Sequence, residues 1–262
     1  MQADCLTQVE RLITEPSGMI VVCGPTGSGK TTTLYAALGM LDAGHRNILT
    51  IEDPIEYRLD NIGQIQVKPK IGLTFAAGLR HILRQDPDVV LVGEVRDEET
   101  AEIAVRAALT GHLVFSTLHT GDAAGSVIRL LDMGIDRFLL SSCLRAVLAQ
   151  RLVRRLCPAC RREASLDGET AERLGMAGRT GARVFEAAGC SDCIDGFRGR
   201  RGLFELLLVD SGMRRRIHAG VSEPDELRER ARADGMRTLR DEGVERVLDG
   251  TTTAGEVLRA TG

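Results

Sequence analysis

Residues 18–38, GMIVVCGPTGSGKTTTLYAAL, constrain this chain more than any other stretch. They contain Gly24-x-x-x-x-Gly29-Lys30-Thr31, placed after an apolar run at 19–23 and before a helical pattern through Leu34 and Leu38. A strand, a glycine-rich turn and a helix in that order form a phosphate cradle. The glycines let backbone N–H groups converge on phosphate oxygens, and the helix N-terminus adds positive potential. The pattern predicts ATP bound by Gly24, Pro25, Thr26, Gly27, Ser28, Gly29, Lys30, Thr31 and Thr32. Lys30 is expected to reach the β- and γ-phosphates and the Thr31 hydroxyl to ligate Mg²⁺. Lysine is rare here: Lys30, Lys68 and Lys70 are the three among 34 basic residues. A compact ammonium at position 30 is thus a specific choice, because arginine does not replace it everywhere. Cys23, ending the buried strand, reads as a small core residue.

Carboxylates narrow the chemistry. RNILTIEDPIEY is an apolar strand ending in Glu52 and Asp53, with Glu56 beyond Pro54. DPDVVLVGEVRD is a second strand, with Glu94 just past its carboxyl end. Ligands sit at the carboxyl ends of parallel α/β sheets, so Glu52 and Glu94 are expected to converge near the nucleotide. One would hold the Mg²⁺ hydration shell and the other would orient or deprotonate the attacking water. Gly93 stands where many phosphate-loop enzymes place an aspartate, which favours a water-mediated metal contact over a direct one. GHLVFSTLHTGDA supplies a third strand with His119 at its far end. His119 is either a reporter of the γ-phosphate or a capping and packing residue. Between these strands, DEETAEIAVRAALTGH reads as an amphipathic helix stopped by Gly111.

Composition excludes several classes. With 43% hydrophobic and 27% charged residues, a net charge of −3 and a pI near 6.0, the chain is globular and not a bulk polyanion binder. Six Phe, two Tyr and no Trp offer few rings on which bases could stack. No apolar run reaches the length of a membrane span, and no basic-then-apolar leader opens the chain, so a cytoplasmic location is expected.

Four of the seven cysteines form two pairs, Cys157-x2-Cys160 and Cys190-x2-Cys193, in RRLCPACRRE and GCSDCIDGFRGR. Two pairs at knuckle spacing predict a structural tetrahedral Zn²⁺ with no open position for catalysis. A redox motif needs only one such pair, and the long gap between pairs costs little extra loop entropy. Arg154, Arg155, Arg161, Arg162 and Arg198 are expected to offset the thiolate charge. The same arginines suit an anionic lipid headgroup or acidic partner, although solvated charge is the simpler reading. From Val209 onward the pattern is helical, with Ser222/Asp225 and Thr253/Glu256 as capping boxes.

The motifs, in this order, resemble the secretion ATPase superfamily, in particular the ATPases of type II secretion and type IV pilus assembly. GPTGSGKTTTLYAAL is similar to its Walker A motif and TIEDPIEY to its Asp box. GLTFAAGLRHILRQDPDVVLVGEVRDEETAEIAVRAALTGHLVFSTLHTGDA is similar to its Walker B and His boxes in continuous register. FLLSSCLRAVLAQRLVRRLCPAC, GRRGLFELL and GMRTLRDEGVERVLDGTTTAGEVL extend the likeness.

The resemblance implies an α/β, RecA-like P-loop NTPase core at 1–150. A tetracysteine zinc module at 151–203 and a C-terminal helical subdomain at 204–262 would follow. It implies ATP hydrolysis with Glu94, Glu52, Lys30 and His119 as catalytic residues, and Mg²⁺ held by Thr31, Glu52 and Glu94. The implied protein is a homo-hexamer on the cytoplasmic face of the inner membrane. It would engage a membrane platform protein and a cytoplasmic adaptor domain, with peripheral membrane contact compatible and no direct nucleic acid. Gly121 and Asp122 replace the usual Asn-Asp. Family members carry a further domain that supplies arginines to the nucleotide, whereas about twenty residues precede the P-loop here. The chain is therefore expected to be a portion of a longer protein or a reduced homologue. Retraction motors of the superfamily lack the tetracysteine module, which favours assembly or secretion over retraction, with a type IV pilus assembly or DNA-uptake ATPase as the alternative. Two other classes remain: a zinc-ribbon nucleic-acid binder with a regulatory P-loop, which charge and aromatic content oppose, and a small-molecule kinase, for which no acceptor pocket or lid is legible.

Overall fold

The amphipathic stretch Ala3–Ile13 forms helix α1, and the apolar run after it becomes strand β1 (Gly18–Cys23), buried at every position. A strand buried along its whole length belongs to a parallel sheet covered on both faces. The computed structural model describes residues 1–262. Helix α2 (Lys30–Gly39) leads to β2 (Ile48–Glu52) and β3 (Gly63–Gln66), with a cis peptide at Asp53–Pro54 between them. Then follow α3 (Phe75–Ile82), β4 (Val89–Val92), α4 (Glu98–Leu109), β5 (Leu113–Leu118), α5 (Ala123–Asp132) and α6 (Arg137–Cys143). Strand β6 (Leu144–Leu156) precedes β7 (Arg162–Ser165), α7 (Gly168–Arg173), β8 (Arg183–Glu186) and β9 (Phe197–Leu208). Helices α8 (Ser211–Ala219), α9 (Pro224–Ala233), α10 (Leu239–Leu248) and α11 (Ala254–Thr261) end the chain.

The main sheet has the order β3-β2-β4-β5-β1-β6-β9. β1 runs parallel to β5 and β6, β2 parallel to β3 and β4, and β4 parallel to β5. The carboxyl ends of β1, β2, β4 and β5 therefore share one edge. A second, antiparallel sheet pairs β7 with β8. No helix is long and apolar enough to cross a membrane.

The chain forms two compact units, one of residues 1–149 with 206–236, the other of 150–205 with 237–262. Both β6 and β9 contribute residues to each. The tail expected as one helical subdomain at 204–262 is thus divided, α8 and α9 in the first unit and α10 and α11 in the second. In the first, Arg228 of α9 pairs with Asp122 at 2.6 Å. In the second, Val247, Ala254 and Val257 bury against Leu166, Leu174 and Val184 and complete a core that α7 and the short antiparallel β7–β8 pair cannot close alone.

The capping expectations resolve differently. Asp97 caps α4 through the Thr100 amide at 2.8 Å, and the chain leaves that helix through Gly111 at φ 114°. Helix α9 begins after Glu223 with no side-chain cap and Pro224 in its first turn, so Ser222 is not its cap. The fixed φ of proline suits the first helical position and moves the start past Ser222. Thr253 accepts from the Glu256 amide at 3.2 Å, but the Glu256 carboxylate turns to Arg154 and Arg259, so this box is half made. The complete capping box is Thr238 with Asp241.

Candidate functional site

The phosphate loop leaves β1 at its carboxyl end and enters α2 through Gly29, whose φ of 85° and ψ of 20° are left-handed. Gly27 also has positive φ, 76°. A side chain at either position would be strained, which is why the loop needs glycine there. No acidic residue sits in the first turn of α2 to oppose its N-terminal dipole. Pro25, Thr26, Gly27 and Thr32 are exposed, Gly29 and Thr31 are half-buried, and Gly24 and Ser28 are buried. Lys30 is 9% exposed, and its Nζ donates to the carbonyls of Gly24 at 2.8 Å and Pro25 at 3.1 Å. Its charge is thereby held over the loop. The Gly24 amide donates to Leu118 O at 3.2 Å, joining the loop to the end of β5.

Glu52 and Glu94 lie on that same edge but in different surroundings. Glu52 is 3% exposed and accepts hydrogen bonds on both oxygens. The Tyr35 phenol donates to Oε2, and Thr50 Oγ1 (2.5 Å) and Gln64 Nε2 (3.2 Å) donate to Oε1. Burial, then the hydrogen bond and charge of Glu52, push the Tyr35 phenol far above its ordinary pKa, so it remains a donor at any working pH. Glu94 has one oxygen paired with Arg96 and the other 3.3 Å from His119 Nε2, both partners being well exposed on their outer sides. Glu52 is fixed by three uncharged donors; Glu94 is held by two solvent-exposed partners, Arg96 and His119.

Gly93 has a steric reason. A Cβ there would lie 3.2 Å from Glu52 Cα and from Ile51 O, because the ends of β4 and β2 pack closely. An aspartate would force these strand ends apart. Asp53 and Glu56 are exposed. Strand β5 separates β4 from β1, and this interposition brings His119 against Glu94. The structure thus joins Glu94 to His119, and Glu52 to the phosphate-loop helix through Tyr35. Sequence reasoning missed Tyr35, Thr50, Gln64 and Arg96. The signal for Thr50 and Gln64 is their spacing about Glu52, but it takes the β2–β3 register to make them neighbours.

The four cysteines Cys157, Cys160, Cys190 and Cys193 meet in the second unit, with all Sγ atoms within 4.8 Å of one another. Sγ separations are 3.9 Å for Cys157–Cys190, 3.7 Å for Cys160–Cys193 and 3.5 Å for Cys190–Cys193, and all four are free thiols. A tetrahedron of thiolates about 2.3 Å from zinc has edges of roughly 3.8 Å, so the donor set fits that metal. Gly196, at φ 81°, turns the second knuckle where a Cβ would strike Ala187, and its carbonyl accepts from the Cys157 amide at 2.8 Å. Two of the expected charge-balancing arginines have other partners. Arg154 stacks over Phe197 at 4.0 Å and pairs with Glu256 at 3.0 Å. Arg161 lies over Phe185 at 4.5 Å and donates to Gly250 O at 2.6 Å.

Comparison with known proteins gives a consistent likeness. A family model described as "Type II/IV secretion system protein" matches residues 1–259. The chain is 56% identical over 255 residues to the type II secretion system protein E of Dickeya dadantii, covering 97% of this chain and 50% of that protein. It is 53% identical over 252 residues to the type II secretion system ATPase E of Vibrio cholerae, covering 96% and 50%. The chain therefore spans about half the length of these relatives. Among solved structures, the pilus retraction motor PilT with bound ADP aligns with a TM-score of 0.71 and 30% identity, over 96% of this chain and 63% of that one.

Proposed function

This chain belongs to the type II/IV secretion system protein family, and we propose that it is the ATP-hydrolysing motor portion of such a protein, powering pseudopilus or pilus assembly in type II secretion. One observation carries the reading: the phosphate loop, Glu52, Glu94 and His119 occupy a single carboxyl edge of a parallel sheet, linked by contacts through Leu118, Tyr35 and Gly93. Lys30 and backbone N–H groups within residues 26–32 bind the triphosphate and draw charge from it. Glu94, whose partners can swing aside into solvent, orients the attacking water and takes its proton. The water oxygen bonds to the γ-phosphorus as the bond to the β,γ-bridging oxygen breaks. His119, against Glu94, steadies that carboxylate and senses the γ-phosphate. Mg²⁺, when bound, would be held by Thr31 with water-mediated help from Glu52 and Glu94, and it supplies positive charge to the phosphate oxygens. Glu52 suits the water-mediated role because its oxygens already accept from Tyr35, Thr50 and Gln64. Zn²⁺ would be held by Cys157, Cys160, Cys190 and Cys193, where it cross-links the two knuckles.

The family relationship further supports a homo-hexamer at the cytoplasmic face of the inner membrane, docking on a platform protein and a cytoplasmic adaptor domain. Steady-state ATP turnover with Lys30→Ala and Glu94→Gln tests the site. Lys30→Ala is expected to abolish turnover. Glu94→Gln is expected to retain nucleotide binding and lose about 10²–10⁴-fold in kcat. Wild-type kcat in Glu94→Gln would remove Glu94 from the chemistry.

A further inference from the structure

The polar network around Glu52 reaches beyond the site described above. Gln64 lies directly opposite Thr50 in the parallel β2–β3 pairing, so register places two donors on the same oxygen of Glu52. The Gln64 amide nitrogen also lies 3.2 Å from Tyr57 O and 3.3 Å from the Tyr35 hydroxyl, while its oxygen accepts from the Leu59 amide at 2.8 Å. One half-buried side chain thus holds Glu52, Tyr57 and Leu59 together. The Tyr57 ring meets the Tyr35 ring edge-on at 4.7 Å. Tyr35 in turn stands on α2, whose first residue is Lys30. Only a carboxamide serves both ends: glutamate at 64 would offer no donor to Glu52, and a hydrocarbon would leave the Leu59 amide without its acceptor.

We propose that Gln64 is a positioning residue for Glu52 that couples the metal–nucleotide site to residues 53–62. The proposal rests on the reading that Glu52 faces bound Mg²⁺ and nucleotide. When Glu52 is drawn toward that ligand, the shared Gln64 N–H donors redistribute toward Tyr57 O, and the packing of Tyr57 on Tyr35 changes with them. Conversely, weakening Gln64 loosens Glu52 and raises the Mg²⁺ concentration the site requires. Lys30, which holds phosphate without Glu52, keeps its metal-independent share of nucleotide binding.

The chain carries its own probe, because Tyr35 and Tyr57 are its only tyrosines and it has no tryptophan. Intrinsic tyrosine emission of the full chain therefore reports this network alone. Mg²⁺ titrated into the protein with ADP is expected to change that emission saturably. Gln64→Met, which removes the donor without adding charge, is expected to raise the Mg²⁺ midpoint about tenfold, the effect of losing one hydrogen bond to a charged group. Gln64→Leu is expected to shift it in the same direction. ADP binding without Mg²⁺, read by equilibrium dialysis, should be unchanged in both. A wild-type midpoint in the folded variants overturns the proposal, and so does equal loss of metal-free ADP binding, which would mark general damage. Unchanged tyrosine emission in a wild-type chain that binds Mg²⁺ and ADP also overturns it. If Gln64→Met does not fold, Gln64→Leu decides. A wild-type chain that binds no nucleotide by dialysis defeats the functional reading itself, before any variant is made.

Discussion

The two units bury their interiors by different means. In the first, β1, β4 and β5 are buried at every position and mostly apolar, with Ser116 and Thr117 of β5 donating to the Val92 and Gly93 carbonyls. Lys30, Glu52 and Glu94 are buried there too, but they gather at one edge, where the sheet leaves them available for chemistry. The second unit has a core of small and medium side chains, and polar groups complete it. Three buried carboxylates each accept from a backbone amide: Glu205 from Leu239 at 3.1 Å, Glu242 from Phe204, and Glu256 from Arg154 at 2.8 Å. The four thiols of the cysteine cluster gather in the same unit. Where apolar burial suffices, charged residues can do chemistry; where it does not, they hold the chain together.

Removing the zinc proposed for the four thiols should produce the largest contrast. Structural zinc contributes on the order of 10 kcal/mol in small metal-folded units, so chelation or Cys160→Ser should expose amides at 150–205 to rapid hydrogen exchange. Unchanged exchange there would erase the contrast between the units.

Acid gives a smaller effect with a definite sign. Burial opposes ionisation of Glu256, but hydrogen bonds from Arg259 and from the Arg154 amide and guanidinium bring its pKa from 4.5 down to about 2. A carboxylate depressed in the folded state stabilises it fully above the unfolded value. That contribution is lost as pH falls from 4.5 toward 2. Denaturant melts of the wild type should weaken across that window, and Glu256→Gln should flatten the dependence. Equal acid sensitivity in the two proteins would assign the effect to other groups.

The smallest test concerns caps. Thr238→Ala, which breaks the complete box of α10, should cost about 1 kcal/mol, whereas Ser222→Ala should fall within about 0.5 kcal/mol of wild type. Equal costs in chemical denaturation would contradict the cap assignments.

Much of this was legible in the residues. The phosphate loop, the strands ending at Glu52 and Glu94, the helix after Asp97 and the paired cysteines each depend on local spacing, and local spacing is what a sequence displays. Tyr35 was not legible as a partner of Glu52, because nothing near either residue implies a hydrogen bond between the phosphate-loop helix and the end of β2. Gly93 showed as a departure from the usual aspartate, but its reason, the approach of Glu52 Cα, lies on another strand. The helical tail failed for a similar reason. Helix pattern says which face is apolar, not which of two cores will receive it.

The sequence by itself determined which chemistry the chain carries: a phosphate loop with Lys30 and Thr31, carboxylates at strand ends, and four thiols in two knuckles. Only the tertiary structure decided how those groups differ. Strand order set β5 beside β4, so His119 meets Glu94, and the β2–β3 register put Gln64 beside Thr50, so Glu52 is held rigidly. Strand order and register arise from the packing of whole apolar faces against one another, a sum over distant residues that no local pattern contains.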